Sequence, residues 1–199
     1  MAYCGKHTFS LIILLIAAIF AVAATSQCAF LPAICRAEEG FGAENFEEMA
    51  SYTTSFASSG TGRVNNIRLA AAALNGYTVQ PGQELSFNAA VGERTTERGY
   101  SVAKVIVDGE YVEGVGGGVC QVSSTLYNAW VLAGLDVVRV QGHSLPSGYV
   151  PMSQDATVSE YIDLVLKNDT AFPVQVRTKT DGTDLNIAVF GKKQPFKVT

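Results

Sequence analysis

One thiol and one imidazole set the chemistry open to this chain. Beyond the first 37 residues it holds one cysteine, Cys120, and one histidine, His143. A thiolate attacks carbonyl carbon, a neighbouring imidazole takes or shares the thiol proton, and a third group fixes the imidazole tautomer. Asp155 is the leading candidate for that third group and Asp163 the second. Cys120 ends the run Gly114-Val115-Gly116-Gly117-Gly118-Val119-Cys120 and heads an apolar series, Val122, Leu126, Ala129, Trp130 and Ala133, at the spacing of one buried helical stripe. Backbone N–H groups and the positive dipole end at a helix start favour an anion, so a thiol there is biased toward its reactive form. The same N–H groups are placed to hold an oxyanion.

Other chemistries fail on spacing. A Walker phosphate loop needs Gly-Lys followed by Ser or Thr, whereas Gly118 is followed by Val119 and Cys120. A dinucleotide fingerprint starting at Gly114 and Gly116 needs glycine at position 119, which is valine. One cysteine and one histidine do not make a zinc site, so neither metal nor cofactor is expected. No nucleophile elbow or Ser-x-x-Lys arrangement surrounds Ser123 and Ser124.

The elements that must position these residues follow from pattern. Asn65-Asn66 reads as the cap of a helix over Ile67–Leu74 that stops at Asn75-Gly76. Pro81-Gly82 is a type II turn signal, and Glu84 to Phe87 alternates as a short strand. Gly92 to Tyr100 is a polar loop, from which Arg94 or Arg98 could grip a substrate carboxylate. Asp108-Gly109 between Lys104–Val107 and Glu110–Val112 predicts a type I′ hairpin that feeds the glycine turn. Gly134 ends the Cys120 helix, and a strand over Leu135–Val140 delivers His143. The C-terminal third, with turns at Asn168-Asp169 and Asp181-Gly182, reads as an antiparallel meander. The expected class is therefore α+β: two or three helices packed on a mostly antiparallel sheet, with the cysteine at the N-terminus of a core helix.

Composition narrows the setting. Of 199 residues, 14 are Lys or Arg and 18 are Asp or Glu, a net charge of −4 that lacks the basic footprint of a nucleic-acid binder. Lys6 and His7 precede an apolar run from Phe9 to Ala24, so residues 1–37 read as a signal peptide or an N-terminal membrane anchor. Residues 38–50 read as a linker, 51–191 as the working domain and 192–199 as a C-terminal tail. The domain is expected outside the cytoplasm, secreted or anchored at the cell surface, where a lone cysteine is a liability unless buried or used.

The run Gly116 to Asn128 resembles the signature of the VanW-like family. So do Tyr52-Thr53-Thr54, Asn66-Ile67 with Leu69-Ala70-Ala71, Gly92 to Thr95 with Gly99-Tyr100, His143-Ser144, Tyr149-Val150-Pro151 and Asp155 to Val158. These motifs spread over roughly residues 46–178. The resemblance implies association with glycopeptide (vancomycin-type) resistance and with Gram-positive cell surfaces, hence peptidoglycan or its peptide precursors as partner.

A cysteine at a helix start with a histidine from a sheet is also the layout of papain-like, transglutaminase-like and NlpC/P60-like enzymes, an analogy of arrangement alone. Two functions follow. One is a cysteine-dependent amidase, peptidase or acyl-transferase, with Cys120 attacking, His143 as base and Asp155 orienting. The other is a non-catalytic module whose cleft, built from Gly117, Gly118, Gln121, Ser123, Ser124, Thr125 and Arg94, binds wall peptide or glycan.

Overall fold

Alternating apolar residues in the last two strands build the floor of the domain. In the computed structural model, which describes residues 46–107 and 109–193, strand β9 (Asp184–Gly191) turns Leu185, Ile187 and Val189 inward, all fully buried. It pairs antiparallel with β8 (Val174–Asp181) on one side and with β1 (Glu47–Ser55) on the other. The short β2 (Thr78–Val79) completes a four-stranded sheet in the order β1-β9-β8-β2. Strand β1 begins at Glu47, inside the segment read as linker. The leader, residues 38–45 of the linker, residues 194–199 of the tail and the hairpin residue Asp108 lie outside the described residues.

Two long helices cover that floor. Helix α1 (Thr61–Leu74) buries Ile67, Ala70, Ala71 and Leu74, and α3 (Val119–Leu132) packs on β1 and β9. Between them comes the five-residue helix α2 (Phe87–Val91). Helix α1 starts six residues before the expected position, behind Gly60, because Asn66 does not cap. Its amide is buried and crosses to another segment, with Nδ2 donating to the carbonyls of Ser101 and Gly117 and Oδ1 accepting from the Ser101 N–H. Helix α2 was missed, since Glu84–Phe87 alternates like a strand. Strand β3 stops at Ser86 because that hydroxyl accepts the Ala89 N–H at 3.0 Å and caps a helix turn.

The meander is corrected. Strand β7 (Val165–Lys167) leaves its sequence neighbour β8 and pairs instead with β3 (Glu84–Ser86) and β6 (Asp136–Arg139), giving a separate sheet in the order β3-β7-β6. The buried Asn168 forces the departure: Nδ2 binds the Val79 and Phe172 carbonyls while Oδ1 accepts from Thr170, so the chain folds over its own side chain. Strands β4 (Val102–Val107) and β5 (Glu110–Val115) form the expected two-residue hairpin, with Gly109 at φ 80°.

Helix α3 is the centre of the domain. Val122, Leu126, Ala129 and Trp130 are all fully buried, as their spacing predicts, but so are Gln121, Ser123, Ser124 and Thr125. One side meets the sheet, and the other is covered by the long irregular segment between β6 and β7. At its end Gly134 takes φ 75°, its N–H donates to the Val131 carbonyl, and the Leu135 N–H donates to the Trp130 carbonyl, a Schellman stop.

Candidate functional site

Gly116 and Gly118, at φ 89° and 105°, fold the end of β5 into a tight turn that aims the chain into α3. A Cβ on Gly117 would lie 2.5 Å from the Lys104 carbonyl oxygen, so the turn presses against β4. Cys120 follows as the second residue of the helix, a free, half-buried thiol whose Sγ donates to the Val158 carbonyl at 3.4 Å. The N–H groups of Val119 and Gln121 are taken by the carbonyls of Gly116 and Gly118.

His143 and Asp155 come from the irregular segment, and the polar face of α3 holds that segment in place. Ser123 Oγ donates to the Ala156 carbonyl at 2.6 Å, and Ser124 Oγ accepts the Ala156 N–H at 2.9 Å. Asn128 Nδ2 donates to the Gln154 carbonyl at 2.7 Å. The Thr157 N–H donates to the Gln141 carbonyl at 2.7 Å, clamping the two arms of the segment together. Asp155 is thereby fixed one residue before Ala156. Its Oδ2 accepts the His143 backbone N–H at 2.6 Å and meets ring Nδ1 at 2.5 Å.

With Nδ1 given to the carboxylate, Nε2 is the nitrogen left for the thiol, and the ring lies within hydrogen-bonding reach of Cys120. Burial pushes the imidazole pKa down, but hydrogen bonding and charge from Cys120 and then from Asp155 outweigh it and hold the value above 6.5. Burial likewise raises the Asp155 carboxyl, and the His143 N–H, ring and charge together bring it below 3.8. A thiol, an imidazole and a carboxylate are thus gathered in one place, a set of groups able to support acyl transfer.

A groove of about 1700 Å³ opens over the thiol. Cys120 and His143 line it, while Asp155 stands behind the ring. Gly117, Gly118 and Arg94 also line it, whereas Gln121 borders it as a fully buried side chain that offers a ligand no surface. Arg94 Nη1 donates to Asn88 Oδ1 and to the Gly92 carbonyl. Gln121 Nε2 is spent on Thr54 Oγ1 and the Ser55 carbonyl, and its buried Oε1 has no partner.

Two expectations change here. Ser123, Ser124 and Thr125 form no cleft. All three are fully buried, and their hydroxyls bond to the irregular segment, to the helix's own carbonyls and to Thr54. Asp163, the second choice as orienter, instead accepts the Asn88 N–H and the Ser86 hydroxyl at the start of α2.

Two groove residues escaped the sequence reading. Arg63 lies in the first turn of α1, a stretch that Asn65-Asn66 had seemed to place before the helix. Its Cγ lies 2.7 Å from where a Gly118 Cβ would stand, and its Cζ lies 5.8 Å from the Tyr149 ring centroid. Burial lowers the guanidinium pKa, while Tyr149 and Cys120 act the other way. Burial and the nearby Cys120 raise that of the Tyr149 phenol. Tyr149 was visible as part of a shared motif but carried no signal for a role.

The chain is 43% identical over 145 residues to the uncharacterized protein YoaR of Bacillus subtilis (strain 168), covering 72% of this chain and 48% of that protein. It is 32% identical over 139 residues to the vancomycin B-type resistance protein VanW of Enterococcus faecalis (strain ATCC 700802 / V583), covering 67% of this chain and 50% of that protein. The chain thus spans about half the length of the curated relatives it matches. No solved structure matches it. The family model described as VanW like protein matches residues 62–190, from the first turn of α1 almost to the end of β9, taking in the glycine turn, the thiol and the irregular segment, and the chain belongs to that family.

Proposed function

We propose that this protein is a cell-envelope cysteine amidase, peptidase or acyl-transferase acting on peptidoglycan peptides. The observation that carries the reading is the His143 ring, held by Asp155 through Nδ1 and within reach of the Cys120 sulfur at the groove. His143 takes the thiol proton and Sγ bonds to the substrate carbonyl carbon. The Cys120 N–H at the helix start donates to the oxyanion. The C–N bond then breaks and the amine leaves with the proton from His143. Water, or an acceptor amine, attacks the thioester and returns a proton through His143 to sulfur. The choice of peptidoglycan, and of an exported protein held by its N-terminal segment or released, follows from the resistance-associated relative and the apolar leader.

The test is the rate of Cys120 alkylation by iodoacetamide against pH, read by mass spectrometry of the Cys120 peptide. Fast labelling that slows in His143→Ala is expected. A sluggish thiol that reacts at the same rate in both proteins overturns the reading. On an envelope peptide, a Cys120-linked acyl adduct absent from Cys120→Ser supports the substrate class.

A further inference from the structure

The acyl transfer above leaves Arg63 without a task. Among the described residues no carboxylate pairs with this half-buried guanidinium, whose Nη1 donates only to the Ser59 hydroxyl at 2.7 Å. The groove's own acids, Glu93, Glu113 and Glu160, form no ion pair with it. A cation drawn out of water without a counter-charge costs stability, so its retention calls for an anion that arrives from outside. Cys120 alone does not meet that need, because proton transfer to His143 already balances the thiolate.

The surroundings favour the same sign of ligand. Gly60 and Gly118 begin α1 and α3, neither supplies a side-chain cap, and neither first turn holds an acidic residue. Both starts line the groove, so two positive dipole ends meet where Arg63 lies. Tyr149 lines the groove beside Arg63, and burial keeps its hydroxyl protonated and able to donate.

We infer that Arg63, supported by Tyr149, is a carboxylate-binding subsite next to Cys120, and that the substrate is a peptide whose free terminal carboxylate lies close to the carbonyl under attack. The inference rests on the reading of Cys120 as nucleophile. Sulfur bonds to the penultimate carbonyl carbon, and the C–N bond to the last residue breaks. That residue leaves as an amine carrying the proton from His143, with its carboxylate on Arg63. Water or an acceptor amine then resolves the thioester.

Two alkylating reagents test this without a known substrate. Iodoacetate and iodoacetamide form the same S–C bond with loss of iodide and differ only in carboxylate for carboxamide. Arg63→Gln should lower the iodoacetate-to-iodoacetamide rate ratio at Cys120 by at least about threefold, the effect of one unit charge across ~7 Å even in a water-like dielectric. Arg63→Lys should keep it. N-acetyl-alanyl-alanine should protect the wild-type thiol from iodoacetamide, its carboxamide should not, and Arg63→Gln should abolish the protection. If the Gln variant fails to fold, added salt should slow iodoacetate alone on the wild type. An unchanged ratio with equal protection by acid and amide, or a salt response equal for both reagents, overturns the subsite. A slow thiol indifferent to His143→Ala overturns the nucleophile instead, whatever the ratio.

Discussion

A single oxygen of Asp155 holds both ends of His143. Oδ2 accepts the backbone N–H at 2.6 Å and meets ring Nδ1 at 2.5 Å, so one carboxylate sets the place of the residue and the orientation of its ring. An acceptor opposite Nδ1 requires that nitrogen to bear the proton, which leaves a lone pair on Nε2 for the thiol.

Asp155→Asn keeps the shape and removes the charge. The imidazole pKa should fall below its raised wild-type value, because the hydrogen bond and the charge of Asp155 both favour the imidazolium. Titration of the His143 Cε1 proton by NMR reads this directly, and an unshifted curve would show that Asp155 does not govern the ring.

The pair also predicts how stability varies with pH. The His143 pKa is raised on folding, so its contribution is complete below the unfolded value of roughly 6.5 and is lost as pH climbs through the folded value. The Asp155 pKa is lowered, so its contribution is present above roughly 3.9 and is lost as pH falls through the folded value. The pair should therefore stabilise most between roughly pH 4 and 6.5. Urea midpoints across pH should show this shoulder in the wild type and lose it in a His143→Gln/Asp155→Asn double variant.

Ser124→Ala separates a structural hydroxyl from a ligand-binding one. Ser124 Oγ donates to the Cys120 carbonyl at 2.7 Å and accepts the buried Ala156 N–H. Removing it leaves that N–H unpaired, at a cost of about 1–3 kcal/mol. The expected outcome is a lower urea midpoint, faster hydrogen exchange at Ala156 and slower alkylation of Cys120. Unchanged stability with weaker binding of envelope peptide would restore Ser124 as a ligand contact.

Gly117→Ala tests the fit of the turn against β4. The added Cβ would meet the Lys104 carbonyl oxygen at 2.5 Å and the Ala103 Cβ at 2.9 Å. Backbone gives way poorly, so a loss of about 1–3 kcal/mol is expected by thermal or urea unfolding. Wild-type stability in this variant would contradict the close approach.

Local pattern made much of this legible. The stripe from Val122 to Trp130, the stop at Gly134 and the Asp108-Gly109 turn are encoded in a few neighbouring residues each, and strands β8 and β9 alternate plainly. Cys120 with His143 could be paired because each is alone of its kind beyond the leader. What escaped depends on long-range bonds. Asn66 looks like a cap until its amide is seen crossing to Ser101 and Gly117, and β7 leaves the meander because Asn168 folds the chain over itself. Ser123 and Ser124 looked like ligand groups because hydroxyls beside a thiol suggest a site, whereas both bond to Ala156, 33 and 32 residues away. Arg63 was hidden by the misplaced start of α1.

The clamp between Thr157 and Gln141 divides the irregular segment unequally. His143 and Asp155 sit just inside it, tied to each other, while Tyr149 rides on the span between them. Residues added or removed in that span would reshape the wall of the groove and leave the His143–Asp155 pair where it is. Lineages could therefore diversify what this scaffold accepts by lengthening or trimming one stretch of chain, without rebuilding the chemistry beneath it.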